Sequence, residues 1–263
     1  MPAFVIHQID AFADRPFTGN QAAVMPLDTW LDDATLQAIA TENNLSETAF
    51  LIRDTSGAAD WELRWFTPGT AVALCGHATL ASGHFMLTRD GGERVTFRTR
   101  KAGILEVARA GDGYRMKLPA YAPSPVDHPA FVAALGCPVE AVLRHPNGYL
   151  LAVLADEAAV MAVQPDFRAL AAIGDTLDIV TAPGTSTDVV SRVFASAAGI
   201  DEDPVTGSAH SVLIPYWAQR LGRDSFTAYQ ASARGGHIGC RLLGDMVELS
   251  GHCVTVVEGV FRF

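Results

Sequence analysis

Two short segments place a glycine directly before small or polar residues where the pattern predicts a helix to begin. They are Cys75-Gly-His-Ala78 and Thr206-Gly-Ser-Ala209. The first amides of a helix have no partner within the helix and carry a partial positive charge, so such a turn can bind an anion without lysine or arginine. Ordinary helix caps with a glycine in a tight turn give the same pattern, and the spacing leaves both interpretations open.

Two acidic positions suit chemistry beside such turns. Glu47 precedes the apolar run Ala49–Ile52, where a carboxylate could act as a general acid/base. Asp203 ends the acidic run Asp201–Asp203 before the second helix start, where it could hold the ammonium or hydroxyl group of an amino-acid-like ligand. A solvated glutamate and ordinary acidic helix-start charge remain the alternatives for the two positions.

Most standard cofactor and metal motifs are absent from the sequence. It contains no phosphate-binding Gly-x-x-x-x-Gly-Lys loop, no Gly-x-Gly-x-x-Gly, no Gly-x-Ser-x-Gly and no His-Glu-x-x-His. The pairs His237/Cys240 and His252/Cys253 offer zinc ligand types, but both lie in predicted strands, where adjacent residues face opposite sides. We therefore expect neither a metal nor a cofactor.

The predicted elements alternate between strands and a few helices. Helices are expected from Asp32 or Asp33, over Gly76–Leu87 and from Gly207 to Leu221, and the run Ala158–Val163 is predicted to be a strand. Four prolines between Pro119 and Pro129 predict a linker. The small residues of the second helix indicate that it is closely surrounded by other structure.

Charge and composition exclude several classes of protein. The chain has 263 residues, 49% of them hydrophobic, and a net charge of −10 without a basic run. Disorder, nucleic-acid binding and a membrane surface are therefore disfavoured. No segment is apolar and long enough to span a membrane, the N-terminal residues lack the features of a signal peptide, and the four cysteines form no Cys-x-x-Cys pair. We expect a cytoplasmic protein with reduced thiols.

Five motifs together resemble the PhzF phenazine-biosynthesis-like family over nearly the whole chain. They are Asp10-Ala-Phe-x4-Phe-Thr-Gly-Asn20, Asn44-Leu-Ser-Glu-Thr48, Trp65-Phe-Thr-Pro68, Leu74-Cys-Gly-His-Ala-Thr79 and Asp203-Pro-Val-Thr-Gly-Ser-Ala209. The resemblance implies an α+β, diaminopimelate-epimerase-like fold. In that fold two similar domains each wrap a barrel-like sheet around a central helix, and the active site lies in the cleft between them.

The resemblance also implies roles for individual residues. The proton-shuttling glutamate of the family falls on Glu47, and two further catalytic positions fall on His77 and Asp203. The residues expected to contact the substrate are Gly76, Gly207, Ser208, Asn20, Cys75 and Thr206. Related racemases use one cysteine from each domain; Cys75 matches the first, but the second falls on Thr206, whose hydroxyl is too weak an acid for that role.

One departure concerns Ala71 and Ala73, which stand where the family often has acidic residues. This departure leaves the identity of the substrate open. We expect a cofactor-independent isomerase that moves a proton within a small carboxylated substrate, the alternatives being an amino-acid racemase or epimerase and a non-catalytic small-acid binding protein. The expected domains are 1–120 and 121–263, with 254–263 able to join the first, and the resemblance implies a homodimer.

Overall fold

The computed structural model describes residues 2–263, which form two compact units. The first comprises residues up to Lys117 together with Ser250–Phe263, and the second comprises Leu118–Leu249. The first unit thus ends three residues before the expected boundary at residue 120, and the returning C-terminal segment begins at residue 250 rather than 254. Among the described residues, no helix is both long and apolar enough to cross a membrane.

The strands of the first unit form a continuous series of hydrogen-bonded pairs in the order β18–β1–β2–β3–β4–β6–β7–β8. All neighbours are antiparallel except β2–β3 and β4–β6, which are parallel. The short β5 pairs with β4. The bounds are β1 Ala3–Ala11, β2 Asn20–Pro26, β3 Glu47–Arg53, β4 Trp61–Phe66, β5 Ala71–Val72, β6 Arg94–Thr99, β7 Ile104–Ala110, β8 Gly113–Pro119 and β18 Cys253–Arg262.

Helix α2, Gly76–Asp90, is the central helix of the first unit. It contacts β1, β2, β3, β6, β7 and β18, so strands from both ends of the series pack against it. Eleven of its fifteen residues are buried. This burial agrees with the small side chains along the helix. A Cβ atom on Gly83 would lie 2.3 Å from Cγ1 of Val107, so at this position only glycine allows β7 to approach.

Helix α1, Asp33–Asn43, packs against β3 and β4. Asp32 is its N-cap, and its carboxylate accepts a hydrogen bond from the Thr35 amide at 2.9 Å. The helix ends at Asn44, which takes the left-handed conformation. Its apolar face joins a core cluster that includes Leu36, Met25 and Phe50. Asn44, the C-cap of this helix, lies three residues before Glu47, the first residue of β3.

The second unit repeats the pairing pattern of the first. The order is β9–β10–β11–β12–β13–β15–β16, antiparallel except for β11–β12 and β13–β15, and β14 pairs with β13. The bounds are β9 Ser124–Pro125, β10 Ala141–His145, β11 Tyr149–Val153, β12 Leu177–Pro183, β13 Val189–Ala195, β14 Ile200–Asp203, β15 Ser225–Gln230 and β16 Gly236–Leu243, followed by β17 Met246–Gly251. Three helices, α3 Pro129–Leu135, α4 Glu157–Ala162 and α5 Phe167–Ile173, contribute to an apolar cluster of this unit.

Helix α6, Gly207–Leu221, is the buried helix of the second unit, and nine of its fifteen residues are buried. Pro215 has no amide hydrogen, so it leaves the carbonyl of Ser211 without the usual donor one turn later. The amide of Tyr121 donates to that carbonyl at 2.8 Å. The proline-rich segment after residue 119 therefore supplies the hydrogen bond that the interior proline removes, and Gly222 ends the helix in the left-handed conformation.

The expected strand at Ala158–Val163 is wrong, because these residues form most of α4. Asp156 is its N-cap, and its carboxylate accepts from the Ala159 amide at 2.8 Å. An N-capping aspartate and alanines favour a helical turn over the strand preference of the valines. Strand β2 and the short β14 were not anticipated either, since the first follows a glycine-containing turn and the second is an acidic run.

The close approach of Gly83 to Val107 gives a stability prediction. Gly83→Ala should destabilise the protein by up to about 2 kcal/mol, because overpacking costs about 1–3 kcal/mol while alanine regains roughly 1 kcal/mol over glycine in a helix. Gly69→Ala, where the nearest atom lies 4.0 Å from the added Cβ, is the matched control and should be nearly neutral. Urea unfolding measures both. In the double variant Gly83→Ala/Val107→Ala the loss should be smaller than the sum of the single losses; strict additivity would contradict the packing argument.

Candidate active site

The parallel pair β2–β3 and the start of α2 position a cluster of polar side chains in the first unit. Asn20 is the first residue of β2, and Glu47 is the first residue of β3. Their registers are fixed by the pairing of Ala22 with Glu47. His77 lies in the first turn of α2, directly after Gly76. Strand starts and a helix start therefore meet at this cluster.

Three contacts connect the members of this cluster. The Nε2 atom of His77 lies 2.9 Å from Oε2 of Glu47. The amide nitrogen of Asn20 lies 3.1 Å from the other ring nitrogen of His77, Nδ1. The Ser46 hydroxyl donates to the amide oxygen of Asn20 at 2.8 Å. His77 and Asn20 are buried, whereas the Glu47 side chain keeps 14% of its surface exposed.

These contacts fix the orientation of the His77 ring. In the neutral form of the ring, Nδ1 accepts from the amide nitrogen of Asn20, and the proton lies on Nε2 and faces the carboxylate of Glu47. A second proton on Nδ1 would require Asn20 to turn its amide oxygen toward the ring. The Ser46 hydroxyl can accept as well as donate, so it tolerates both orientations of that amide.

Cys75 lies beside this pair with its Sγ 3.6 Å from Nδ1 of His77. Burial and the neighbouring Glu47 carboxylate raise the pKa of the Cys75 thiol to about 11, so the thiol is neutral near pH 7. Burial lowers the pKa of His77, but Cys75 and Glu47 raise it more, and it lies well above its usual range. Because the thiol is neutral, Glu47 is the anion that favours a proton on His77.

The second unit contains a separate polar cluster before α6. The Thr206 hydroxyl hydrogen-bonds to the carboxylate of Asp203. The side chain of Gln230 braces the same turn: its oxygen accepts from the Thr206 amide at 2.8 Å, and its nitrogen donates to the Asp203 carbonyl at 2.8 Å. Gln230 is fully buried and belongs to β15. The sheet therefore fixes the conformation of the turn that leads into the helix.

The two helix starts share one property. Neither Cys75 before α2 nor Thr206 before α6 caps its helix with a side-chain hydrogen bond. An uncapped helix start is a suitable place for an anion, because its amides need an external acceptor. Within the second unit, burial raises the pKa of the Tyr149 phenol. A hydrogen bond with the Ser208 hydroxyl lowers this pKa by a smaller amount.

His210 lies one turn into α6 and is fully buried. Its Nδ1 donates to the Thr206 carbonyl at 2.9 Å, and its Nε2 has no hydrogen-bond partner among the described residues. Burial lowers the pKa of His210 to about 4. The neutral imidazole of His210 therefore holds the carbonyl of Thr206, in the turn before α6. The sequence did not indicate this role.

The structure also shows which residues could bind a metal. Glu47, Cys75 and His77 bring ligand atoms within 4.8 Å of one another. The donor types suit zinc, but binding would have to displace protons from the thiol and the imidazole. The two His/Cys pairs considered from the sequence do not form such a group. In the first pair Cys240 is buried while His237 is exposed. In the second pair both ring nitrogens of His252 are engaged by carboxylates, Asp14 at 2.9 Å and Asp112 at 3.0 Å. The expectation of no metal stays a prediction.

The nine expected site residues thus fall into two groups by unit. Asn20, Glu47 and Cys75 each contact His77, with Gly76 in the same turn. Asp203 and Thr206 contact each other, with Gly207 and Ser208 directly after them. Four supporting residues were not predicted from the sequence: Ser46, Gln230, Tyr149 and His210. Ser46 lay within a recognised motif, whereas no local signal marked Gln230.

The chain matches the family model described as phenazine biosynthesis-like protein over residues 9–259. It belongs to this family. An uncharacterized isomerase of Pseudomonas aeruginosa is 52% identical over 259 residues, 97% of each chain. A crystal structure of a PhzF family protein from Enterococcus faecalis superposes with a TM-score of 0.92 at 40% identity, covering 100% of both chains.

Similarity to epimerases extends the comparison of the fold. A hydroxyproline epimerase from Agrobacterium vitis has a TM-score of 0.62 at 12% identity, covering 98% of this chain and 92% of that chain. This member of the phenazine biosynthesis-like family therefore has the α+β, diaminopimelate-epimerase-like fold. Relatives that are 42–52% identical are named isomerases, and this chain is an isomerase of the PhzF type.

The buried His210 gives a prediction about pH. Its folded pKa of about 4 lies below the value of 6.5 expected when unfolded, so the unfolded chain binds the extra proton between these pH values. Its contribution to stability should therefore fall by about 3 kcal/mol as the pH drops from 7 to 4. Comparing urea unfolding of the wild type with His210→Gln, which cannot titrate, isolates this slope.

Asp178 provides a control of opposite sign in the same unit. Burial raises the pKa of its carboxyl to about 6, so its contribution to stability grows as the pH falls through 6 toward 4. Asp178→Asn should therefore lose stability relative to the wild type at low pH, whereas His210→Gln should gain it. Equal pH slopes in the wild type and His210→Gln would show that His210 is not buried in its neutral form.

Proposed function

We propose that this protein is a cofactor-independent isomerase that moves a proton within a small carboxylated substrate, with Glu47 as the general acid/base. The observation that carries the proposal is the contact of Glu47 with Nε2 of His77 at 2.9 Å, beside the uncapped start of α2. The Glu47 side chain keeps 14% of its surface exposed, which leaves one side of it open to a substrate, while its Oε2 atom and the neighbouring side chains are buried. Proton transfer needs a positioned group within hydrogen-bond reach of the reacting atom.

Glu47 suits this role better than Cys75. At neutral pH a thiol with a pKa of about 11 is almost entirely protonated, so it is a poor base. Burial of Cys75 also limits its access to a substrate. The carboxylate can remove a proton from one position of a conjugated substrate and return it to another, without a change in its own covalent structure.

His77 would support both steps of this transfer. Its Nε2 proton faces the ionised carboxylate of Glu47 and stabilises it before the proton is taken up. When Glu47 is protonated, the same nitrogen is free to donate to a heteroatom of the substrate. Asn20 and Ser46 hold the ring so that Nε2 faces Glu47.

For the second unit, we propose that the turn at Gly207 and Ser208 binds the carboxylate of the substrate. The support is the uncapped start of α6, whose backbone is held by Gln230 on one side and His210 on the other. Asp203, which accepts from the Thr206 hydroxyl, would orient an amino or hydroxyl group. Backbone amides allow an anion to bind despite the net charge of −10.

Epimerisation is the second candidate function, favoured by the contact between Cys75 and His77 at 3.6 Å. A thiol beside an imidazole can be activated as a base. The reaction also needs a second acid on the opposite face of the substrate. The corresponding position is Thr206, whose hydroxyl is a much weaker acid than a thiol. Single-site proton movement through Glu47 is therefore the better supported reaction.

Substitution of Glu47 tests the proposed proton transfer. Glu47→Gln keeps the size and one acceptor of the side chain but cannot take up and return a proton, so turnover should fall by about 10² to 10⁴. The measurement is deuterium uptake from D2O by small acids of a metabolite extract, followed by mass spectrometry. Thr206→Ala should reduce uptake far less, because Thr206 transfers no proton in this mechanism.

Cys75→Ala separates the two candidate reactions in the same assay. The isomerase proposal expects this variant to remain active, since Cys75 is only a neutral buried neighbour of His77. Near-normal turnover by Glu47→Gln, together with an inactive Cys75→Ala and a product of inverted configuration, would replace the isomerase proposal with epimerisation.

Substitution of Gly207 tests the proposed carboxylate turn. Gly207→Pro removes one amide hydrogen at the first position of α6, where proline is tolerated, and the extended conformation of Thr206 (φ −111°, ψ 99°) is compatible with a following proline. Carboxylate binding, measured by calorimetry with the substrate found in the screen, should weaken by about tenfold or more. Ser208→Ala, which keeps the amide, should weaken it less; unchanged binding in a folded Gly207→Pro would contradict the assignment.

A further inference from the structure

We propose that the first unit contains a second, separate binding site for a small organic anion, a carboxylate or a phosphate ester. The site is a cavity of about 180 Å³ between β4, β5 and the turn that joins β6 to β7. We call it the cationic cavity. The lining residues that matter here are Arg64, Trp65, Ala71, Ala73, Arg100 and Lys101. None of the polar residues of the Glu47 cluster lines it.

The charges around the cationic cavity do not cancel. Three cations, Arg64, Arg100 and Lys101, line it together with a single carboxylate, Asp33. Asp33 is shared by two of them: it lies 2.8 Å from Arg64 and 3.7 Å from Arg100. Lys101 has no ion pair within residues 2–263. A net positive cavity in a protein of net charge −10 is a local feature that attracts an anion.

Arg64 is held in place before any ligand arrives. Its side chain is only 6% exposed, and its guanidinium lies 4.9 Å from the ring centroid of Phe66 and 5.3 Å from that of Trp30. A fixed guanidinium loses little conformational entropy when it binds a carboxylate or phosphate, and its planar donors match the oxygens of both groups. Arg100 and Lys101 are exposed and can close on the ligand from the turn.

The remaining walls suit the organic part of such a ligand. Leu63, Val72 and the methyl groups of Ala71 and Ala73 are apolar and contribute no charge. Trp65 also lines the cavity and is buried, and its indole N–H has no hydrogen-bond partner among the described residues. Buried donors are rarely left without an acceptor. A ligand with anionic oxygens and a short apolar body would complement both the cations and these apolar walls.

The position of the cavity connects it to the start of α2. Ala71 and Val72 form β5, which pairs with β4, and Cys75 follows three residues after Val72. A bound anion would therefore hold the segment that leads into the turn of Gly76 and His77. We infer that the ligand acts as an effector of the Glu47 cluster rather than as its substrate. This inference about the effect rests on the proposed function, whereas the binding itself does not.

Binding is tested with two probes, inorganic phosphate and glutarate, by calorimetry at low ionic strength and by tryptophan fluorescence. The wild type should bind at least one probe saturably, and the preferred probe tells whether the natural ligand carries a phosphate or a carboxylate. Arg100→Gln/Lys101→Gln should weaken this binding by about tenfold or more. Arg94→Gln/Arg115→Gln, which removes the same charge elsewhere in the first unit, is the matched control and should change it by less than about threefold.

Ala71→Glu is the second, independent variant. It adds a carboxylate to a wall of the cavity at an exposed strand position, so folding should persist while binding of the probes is lost. Binding that is unchanged in Ala71→Glu and in the double variant would overturn the inference. If binding is instead lost only in Gly207→Pro, the anion belongs to the turn before α6, and the proposed function stands while the cationic cavity is ruled out.

Discussion

The contact between the Glu47 carboxylate and Nε2 of His77 is the interaction on which the proposed chemistry depends. It joins a group on a strand to a group on a helix, at 2.9 Å, and the Glu47 side chain is 14% exposed to solvent against 4% for His77. Low polarity strengthens this contact and keeps the neighbouring thiol of Cys75 protonated. The same burial that positions the pair therefore selects which of the three groups can act as a base.

The contact requires the first turn of α2 to lie beside the first residue of β3. The strands that pack around α2 hold the helix in this position. The sheet can surround the helix only if the helix has a narrow surface, which explains its small residues and the absence of a Cβ at Gly83. The second unit also contains a buried helix, α6, but this helix has a proline in its interior. Pro215 leaves the carbonyl of Ser211 without its helical donor, and the amide of Tyr121 donates to that carbonyl instead.

Charge shows a contrast between the whole chain and its local sites. An overall charge of −10 repels anionic substrates at long range. The two helix starts can offset this repulsion with backbone amides. Binding an anion there avoids the free-energy cost of removing water from a full charge, which a lysine side chain would incur. The cationic cavity uses side chains instead, with Arg64 fixed between aromatic rings and a carboxylate.

The sequence by itself determined the elements that depend on local chemistry. Asp32 marked the start of α1 and the bounds Gly207 to Leu221 matched α6, because capping is a contact within a few residues, and the motifs were sufficient to indicate the family and its α+β fold. Where capping and strand preference competed, at Ala158–Val163, the sequence misled, since both signals are weak without tertiary packing.

Only the tertiary structure decided how the candidate site is supported. The orientation of the His77 ring depends on Asn20, which is 57 residues away in sequence, and the turn before α6 depends on Gln230, which is 24 residues beyond Thr206. Likewise, the low pKa of His210 and the high pKa of Cys75 result from burial by residues brought together by folding. Sequence motifs name the groups that can react, but distances and desolvation, which decide their protonation, arise only when distant strands and helices pack together.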